Sequence, residues 1–100
     1  MRKITADIQN AIRTNTCFIG VNTEVLRVYA FNDIPTLVVW FHGHTIARRC
    51  PTSRVWSFCF QGYRTNTVRD RINAVRGALG LPPVSLTQFR DAGSLLAWFN

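Results

Sequence analysis

Apolar residues in the first part of the chain recur with the period of an α-helix. They are Ile4, Ile8, Ala11 and Ile12. These positions follow one another at i, i+4, i+7 and i+8, so they lie along one face of a helix. The pattern predicts a helix over residues 3–14, and the turn-favouring pair Asn15 and Thr16 predicts its end.

From Thr23 the hydrophobic pattern changes to one typical of β-strands. Alternating side chains predict a strand over residues 26–31, and further strands are predicted over 37–42, over 45–49 as the return of a hairpin, and over 54–60. The run 37–42 is almost continuously apolar, which is typical of the centre of a sheet. Turns are predicted at residues 32–35, at Gly43-His44 and at residues 50–53. Together these segments predict a four-stranded antiparallel meander.

An apolar stripe with the spacing i, i+4, i+7 and i+11 predicts a second helix. Its members are Val68, Ile72, Val75 and Leu79. Thr67 is the predicted N-cap, and Asp70 completes a weak capping box three residues later. Gly80 is the predicted left-handed residue after the helix, and Pro82-Pro83 prevents the helix from continuing.

The remaining residues predict a C-terminal β-hairpin, with strands at 84–90 and 95–99 around a turn at 91–93. The full order is α-β-β-β-β-α-β-β, an α+β fold in a single domain over residues 1–100. No apolar run reaches the ~20 residues of a membrane span, and no signal peptide is visible. A cytoplasmic location without a membrane partner is therefore expected.

Positive charge is concentrated in one part of the sequence. The chain of 100 residues has a net charge of +7, and seven arginines between His42 and Arg76 against the single acid Asp70 supply +6 of it. They are Arg48, Arg49, Arg54, Arg64, Arg69, Arg71 and Arg76. This concentration predicts a polyanionic or acidic partner, whereas the alternative interpretation is an ordinary solvated surface.

The candidate binding residues form three groups along the sequence. They are Arg48, Arg49 and Arg54 at the ends of predicted strands, Tyr63 and Arg64 in the loop before the second helix, and Arg69, Asn73 and Arg76 on one flank of that helix. A guanidinium offers a planar pair of donors that matches phosphate and carboxylate groups. The hypothesis therefore has a geometric condition, namely that the three groups converge in space.

Aromatic residues of the predicted strands have two interpretations. They are Tyr29, Phe31, Trp40, Trp56 and Phe60. An exposed ring would offer a stacking surface for unpaired bases. A ring covered by the helices would belong to the hydrophobic core instead.

The sequence offers no catalytic or metal-binding constellation. His42, His44, Cys50 and Cys59 lack the paired spacing of zinc ligands, and three irregularly spaced cysteines do not form a disulfide framework. No nucleophile stands in sequence with a base and an orienting group, and no Gly-rich phosphate loop is present. We therefore expect a non-enzymatic protein without cofactor or metal.

Two segments resemble a family of small tailed-bacteriophage proteins for which no activity is established. They are residues 41–47 (FHGHTIA) and 60–73 (FQGYRTNTVRDRIN), which are similar to an HGN-x-IA hairpin and a GW-x-T-x-TT-x-x-RLN strand-to-helix segment. The chain departs from these patterns with His44 for Asn, Tyr63 for Trp, Asn66-Thr67 for a Thr pair and Ile72 for Leu. The resemblance implies a phage origin and expression in a bacterial host.

The family pattern points to four polar residues without giving them a role. They are Thr65, Thr67, Arg71 and Asn73. The leading interpretation is a small basic nucleic-acid-binding phage protein whose arginines contact the phosphates of DNA or RNA. The alternative is a phage protein that binds an acidic surface of a host bacterial enzyme and modulates or inhibits it. A homodimer formed through an uncovered sheet edge is compatible with either.

Overall fold

A computed structural model describes residues 2–20, 22–29, 33–63, 65–85 and 96–100 of the chain. Two helices and five strands are present in these ranges. The helices are α1 (Lys3–Thr14) and α2 (Asn66–Ala78), and the strands are β1 (Phe18–Ile19), β2 (Thr23–Tyr29), β3 (Pro35–Phe41), β4 (His44–Arg49) and β5 (Trp56–Phe58). The strands form one antiparallel sheet in the order β1-β2-β3-β4-β5. The structure therefore confirms the predicted α+β class.

The side chains of the sheet separate into two faces because successive residues of a strand point in opposite directions. One row of cross-strand partners runs through Val25, Val39, Ala47 and Phe58, all of them buried. This row forms one hydrophobic core with side chains of both helices, including Ile8 and Ile72. Both helices therefore cover the same face of the sheet.

The opposite face of the sheet carries the alternate row of partners. Across β2 to β5 that row is Leu26, Val38, Arg48 and Ser57, and the next row is Glu24, Trp40 and Thr45. These side chains are half-buried, and Arg48 is exposed. We call these seven residues the helix-free face.

Each helix ends at a residue with a left-handed backbone. Asn15 follows α1 with a φ of 56°, and the N–H of Thr16 donates to the oxygen of Ala11 at 3.0 Å. Gly80 follows α2 with a φ of 73°, and the N–H of Leu81 donates to the oxygen of Arg76 at 2.9 Å. Both ends have the pattern of a Schellman motif, which confirms the predicted breaks.

The beginning of α2 differs from the prediction. Thr65 is the N-cap, and its hydroxyl accepts from the N–H of Val68 at 3.3 Å. The predicted cap at Thr67 with a capping box to Asp70 is therefore wrong, since Thr67 already lies in the helix. Asp70 instead pairs with Arg2 at 3.3 Å.

The hairpin between β3 and β4 turns at His42 and Gly43, one residue before the predicted pair. Both have positive φ values, 51° and 79°, as the central residues of a type I′ turn require. The fourth predicted strand is shorter, because Arg54 and Gln61 have φ values of 65° and 54° that no strand can contain. The two-residue strand β1 (Phe18–Ile19) was not predicted, since it is too short to show an alternation.

The predicted C-terminal hairpin lies mostly outside the described residues. Val84 and Ser85 are not in a strand, and residues 86–95 are not described. Near the end of the chain, Phe99 forms an isolated antiparallel bridge with Phe58 of β5 (Trp56–Phe58). In the parts of the chain that the structure covers, no helix is long and apolar enough to cross a membrane.

Candidate nucleic-acid interface

Three arginines, two from strands and one from the loop after β4, lie at one end of the sheet. Arg49 is the last residue of β4 (His44–Arg49), Arg27 lies in β2 (Thr23–Tyr29), and Arg54 follows the turn after β4. Burial lowers the pKa of Arg49, and repulsion from Arg54 and then Arg27 lowers it further. Repulsion of this kind requires the guanidinium groups of Arg54 and Arg27 each to lie near that of Arg49. We call Arg27, Arg49 and Arg54 the basic corner.

Arg49 is the buried member of the basic corner, and hydrogen bonds fix its side chain. Its side chain is only 8% exposed, and its Nη2 donates to the Asn15 side-chain oxygen at 3.2 Å. Its Nε donates to the Thr36 hydroxyl at 3.3 Å, and that hydroxyl donates to the main-chain oxygen of Arg49 at 2.7 Å. Arg49 thus ties the end of α1 to two strands, while Arg27 and Arg54 remain exposed to solvent.

No carboxylate neutralises the basic corner within the described ranges. The ion pairs among the described residues are Arg2–Asp70 at 3.3 Å and Lys3–Asp7 at 3.8 Å, and both lie near the beginning of α1 rather than at the basic corner. The basic corner therefore projects an uncompensated positive field, which attracts anions.

Arg48 and Arg76 both contact the C-terminal residues. The guanidinium of Arg48 lies 3.9 Å from the ring centroid of Trp98. Arg76, which is 9% exposed, donates through Nη1 to the main-chain oxygen of Asn100 at 2.6 Å. The two arginines therefore both contact the segment that pairs with β5.

The flank of α2 (Asn66–Ala78) is used within the fold rather than left open. Arg76 also donates through Nε to the oxygen of Pro82 at 2.7 Å. Asn73 accepts from the N–H of Val84 at 2.7 Å and donates to the Val84 oxygen at 3.3 Å. Asn73 and Arg76 therefore hold the segment after α2 through these main-chain hydrogen bonds, and their predicted role in binding stays a prediction.

The loop before α2 lies beside the β3–β4 hairpin. The ring of Tyr63 packs edge-on against Phe41 at 5.4 Å and against His44 at 5.7 Å between centroids. Arg69 is half-buried. Arg64 lies outside the described residues, so its predicted place beside Tyr63 stays a prediction.

The structure brings together only part of the predicted site. Arg49 and Arg54 meet in the basic corner, whereas Arg48 and Arg76 meet around the C-terminal segment. Arg27 was not among the candidate binding residues because it lies outside the basic stretch, 21 residues before Arg48, the first arginine of that stretch. The signal that would have found it is the meander itself, which places β2 two strands away from β4.

The aromatic candidates differ in how far they are buried. Trp56 and Phe60 are core residues, with 7% and 3% exposure, whereas Tyr29 is 69% exposed. Trp40 is half-buried on the helix-free face, and Phe31 is not among the described residues. Among the described aromatic candidates, Tyr29 therefore has the exposed ring that a stacking surface requires.

Cys50 is an exposed thiol directly after Arg49. Hydrogen bonds from Ser53 and Thr52 lower its pKa to about 6. The turn that carries it is closed by main-chain hydrogen bonds, Cys50 N–H to Val55 oxygen at 2.8 Å and Arg54 N–H to Cys50 oxygen at 2.9 Å. Within the described residues, no group of three His, Cys, Asp or Glu side chains is placed to hold a metal ion.

The fold and this surface define a small arginine-rich α+β protein with helices on one face of its sheet and a basic corner at one end. Residues 1–90 match the family model described as Kyanoviridae Gp96 protein. The chain therefore belongs to this phage protein family, and the resemblance to small tailed-phage proteins is confirmed. Comparison with curated proteins and with solved structures found no match to the chain.

Proposed function

We propose that this phage protein is a non-enzymatic nucleic-acid-binding protein that contacts phosphates through the basic corner and works in the cytoplasm of the host. The observation that carries the proposal is the approach of Arg27 and Arg54 to Arg49 without a neutralising carboxylate among the described residues. Bringing like charges together costs free energy. A bound polyanion would recover this free energy because its negative charges offset the repulsion.

The roles within the basic corner differ. Arg49 is buried and engaged by Asn15 and Thr36, so it adds positive field without reaching a ligand. Arg27 and Arg54 are exposed and would make the phosphate contacts. Arg48 is exposed as well, but it lies on the helix-free face and is stacked on Trp98, so it is not one of these contacts.

The test is binding of labelled oligonucleotides across a salt series, followed by fluorescence anisotropy. We expect binding at low salt that weakens linearly with the logarithm of the salt concentration. The double variant Arg27→Gln/Arg54→Gln should flatten the slope on duplex DNA by about 1.8, since each lost phosphate contact removes about 0.9.

The matched control is Arg2→Gln/Lys3→Gln, which removes the same charge from residues that already pair with Asp70 and Asp7. Its slope should stay close to that of the unaltered protein. Equal slopes for the two double variants, or no binding at low salt, would reject the proposal.

The alternative partner, an acidic surface of a host protein, gives a different result. Nuclease-treated host lysate would then yield one protein that binds the unaltered chain and not Arg27→Gln/Arg54→Gln, while oligonucleotides fail to bind at any salt concentration. A guanidinium pair suits carboxylates as well as phosphates, so this experiment decides between the two partners.

A further inference from the structure

We propose that a cleft beside the first half of α1 binds a small organic anion, whose negative head lies at Arg71 and whose apolar body lies against Ile4 and Phe18. The cleft lies where α1, β1 and α2 meet, and its volume of about 470 Å³ is within the usual range for a small-molecule site. We call it the α1 cleft. The inference goes beyond the proposed function and does not rest on it.

Arg71 is the polar group of the α1 cleft that lacks a full set of partners. Its Nε donates to the hydroxyl of the buried Thr23 at 3.2 Å. Its Nη1 is buried without a hydrogen-bond partner among the described residues. A buried donor that is left unsatisfied destabilises the fold, and in a native structure such a donor often marks the place of a bound group. An anion in the α1 cleft would lie beside this guanidinium.

No carboxylate of the described residues forms an ion pair with Arg71. Burial lowers the pKa of Arg71, nearby Asp70 raises it by a smaller amount, and Arg2 lowers it. Asp70 pairs with Arg2 at 3.3 Å, and Asp7 pairs with Lys3 at 3.8 Å. The two acids near Arg71 are therefore engaged by other cations, and a ligand that brings its own negative charge would supply the missing counter-ion.

The opposite wall of the α1 cleft is apolar. Ile4 and Phe18 are half-buried there, and Ile19 is 74% exposed. A Cβ atom added at Gly20 would lie 2.7 Å from the ring of Phe18 and 3.4 Å from Cδ1 of Ile4, so the absence of a side chain at Gly20 leaves the space in which this wall forms. An apolar wall with a few polar groups at one side is the usual composition of a small-molecule site. It fits an anion with an apolar body better than a bare phosphate.

The α1 cleft is separate from the basic corner. Its residues on α1 end at Asp7, whereas Arg49 contacts Asn15 beyond the other end of that helix. Eight residues of helix correspond to about 12 Å. The charged residues that line the α1 cleft are Lys3, Arg71 and Asp7, a net charge of +1. This charge matches a ligand with one negative group, whereas a polyanion would bring further negative charges past Asp7.

The test is a calorimetric titration of the full chain with three probes. Octanoate carries both a carboxylate and an apolar body, octanamide has the same body without the charge, and acetate has the charge without the body. We expect octanoate to bind more tightly than either of the other probes. Octanamide bound as tightly as octanoate, or no octanoate bound, would overturn the inference and leave the α1 cleft as a structural groove only.

Two pairs of variants locate the head and the body of the ligand. Arg71→Gln should weaken octanoate binding about tenfold to 150-fold through loss of a charged hydrogen bond, whereas the control Arg13→Gln removes an exposed arginine of α1 outside the cleft and should have little effect. Ile19→Thr should weaken it about fourfold, the effect of one lost methylene contact. The control Val55→Thr changes an exposed residue elsewhere. Equal affinities within either pair would overturn the corresponding contact.

A second measurement uses the unaltered protein and so does not depend on the fold of a variant. Nuclear Overhauser effects should connect the octanoate methylenes with the side chains of Ile4 and Phe18, and contacts only at other residues would overturn the inference. Arg27→Gln/Arg54→Gln should bind octanoate like the unaltered protein. Loss of octanoate binding in this variant would assign the anion to the basic corner and overturn the α1 cleft as its site, whereas failure of oligonucleotide binding alone would reject only the proposed function.

Discussion

Replacing Arg76 by methionine tests whether this arginine supports the fold or binds the ligand. Arg76 has 9% exposure and donates to main-chain oxygens of Pro82 and Asn100 at 2.7 and 2.6 Å. Its guanidinium also lies 5.1 Å from the ring centroid of Phe58. Methionine keeps much of the apolar stem and removes all of these polar contacts.

The magnitude follows from those contacts. Hydrogen bonds from a charged donor contribute about 1.5–3 kcal/mol each, so the pair contributes about 3–6 kcal/mol. Pro82 and Asn100 are exposed, so water can hydrate their oxygens in the variant. Burial lowers the pKa of Arg76, which shows that the cation is partly desolvated and that its removal recovers some free energy. The expected loss is therefore at the low end, about 3 kcal/mol.

The assay is urea unfolding of Arg76→Met followed by circular dichroism. A loss of about 3 kcal/mol corresponds to a decrease of roughly 12–24 °C in Tm for a domain of this size. Affinity for oligonucleotides, measured where the variant is folded, should be unchanged. Arg54→Gln is the matched control, since Arg54 is exposed and should lose affinity with a stability change within about 0.5 kcal/mol.

Two results would refute the reasoning. If Arg76→Met changes the free energy of unfolding by less than about 1 kcal/mol, the contacts to Pro82 and Asn100 do not hold the C-terminal segment as described. If the folded variant loses affinity as strongly as Arg54→Gln, Arg76 belongs to the binding surface after all.

Two further predictions concern the cap of α2 (Asn66–Ala78) and the thiol beside the basic corner. Thr65→Ala should lower the free energy of unfolding by about 1 kcal/mol because it removes the N-cap hydrogen bond to Val68. The control Thr67→Ala should change the free energy of unfolding by less than half as much. Equal losses of the two variants in urea unfolding would contradict the assignment of Thr65 as the N-cap. The pKa of Cys50 is lowered to about 6, so its thiolate persists above that pH, and its rate of alkylation by iodoacetamide should fall as the pH is lowered through about 6. An ordinary cysteine loses reactivity near pH 8.5, and a midpoint there in peptide mapping would contradict the hydrogen bonds from Ser53 and Thr52.

The elements of this fold were predictable because their signals are local. The stripe beginning at Ile4 and the stripe beginning at Val68 each fit one face of a helix, and both helices are present. Gly80 has the left-handed φ that its place after α2 predicts. The errors are shifts of one or two residues: the N-cap of α2 is Thr65 instead of Thr67, and the hairpin turn lies one residue earlier than predicted.

The hydrogen-bond partners of the arginines, in contrast, were not predictable from the sequence. Arg76 binds a carbonyl 24 residues later, and Arg49 binds a side chain 34 residues earlier. Periodicity places a residue on a flank of a helix or at the end of a strand, but it does not show which backbone oxygens will lie there. Arg27, outside the basic stretch, reaches the basic corner only through the order of the strands.

Arginine takes on these internal roles because the chain has many donors and few acids. The chain has twelve basic residues and five acidic ones, so many guanidinium donors have no carboxylate partner and can donate to main-chain oxygens instead. Arg76 does so without a carboxylate, since a guanidinium has five N–H groups in a planar fork. Net charge therefore overstates the part of this surface that a ligand can reach.

The salt dependence of binding measures how large that reachable part is. Among the described residues, the exposed arginines without an ion pair or a stacked ring are Arg13, Arg27 and Arg54. Three phosphate contacts give a slope of about −2.1 on a single strand. If all seven net charges acted together, the slope would be about −4.9. A slope near the first value means that a few placed arginines bind the backbone, whereas a slope near the second means that the whole positive field does.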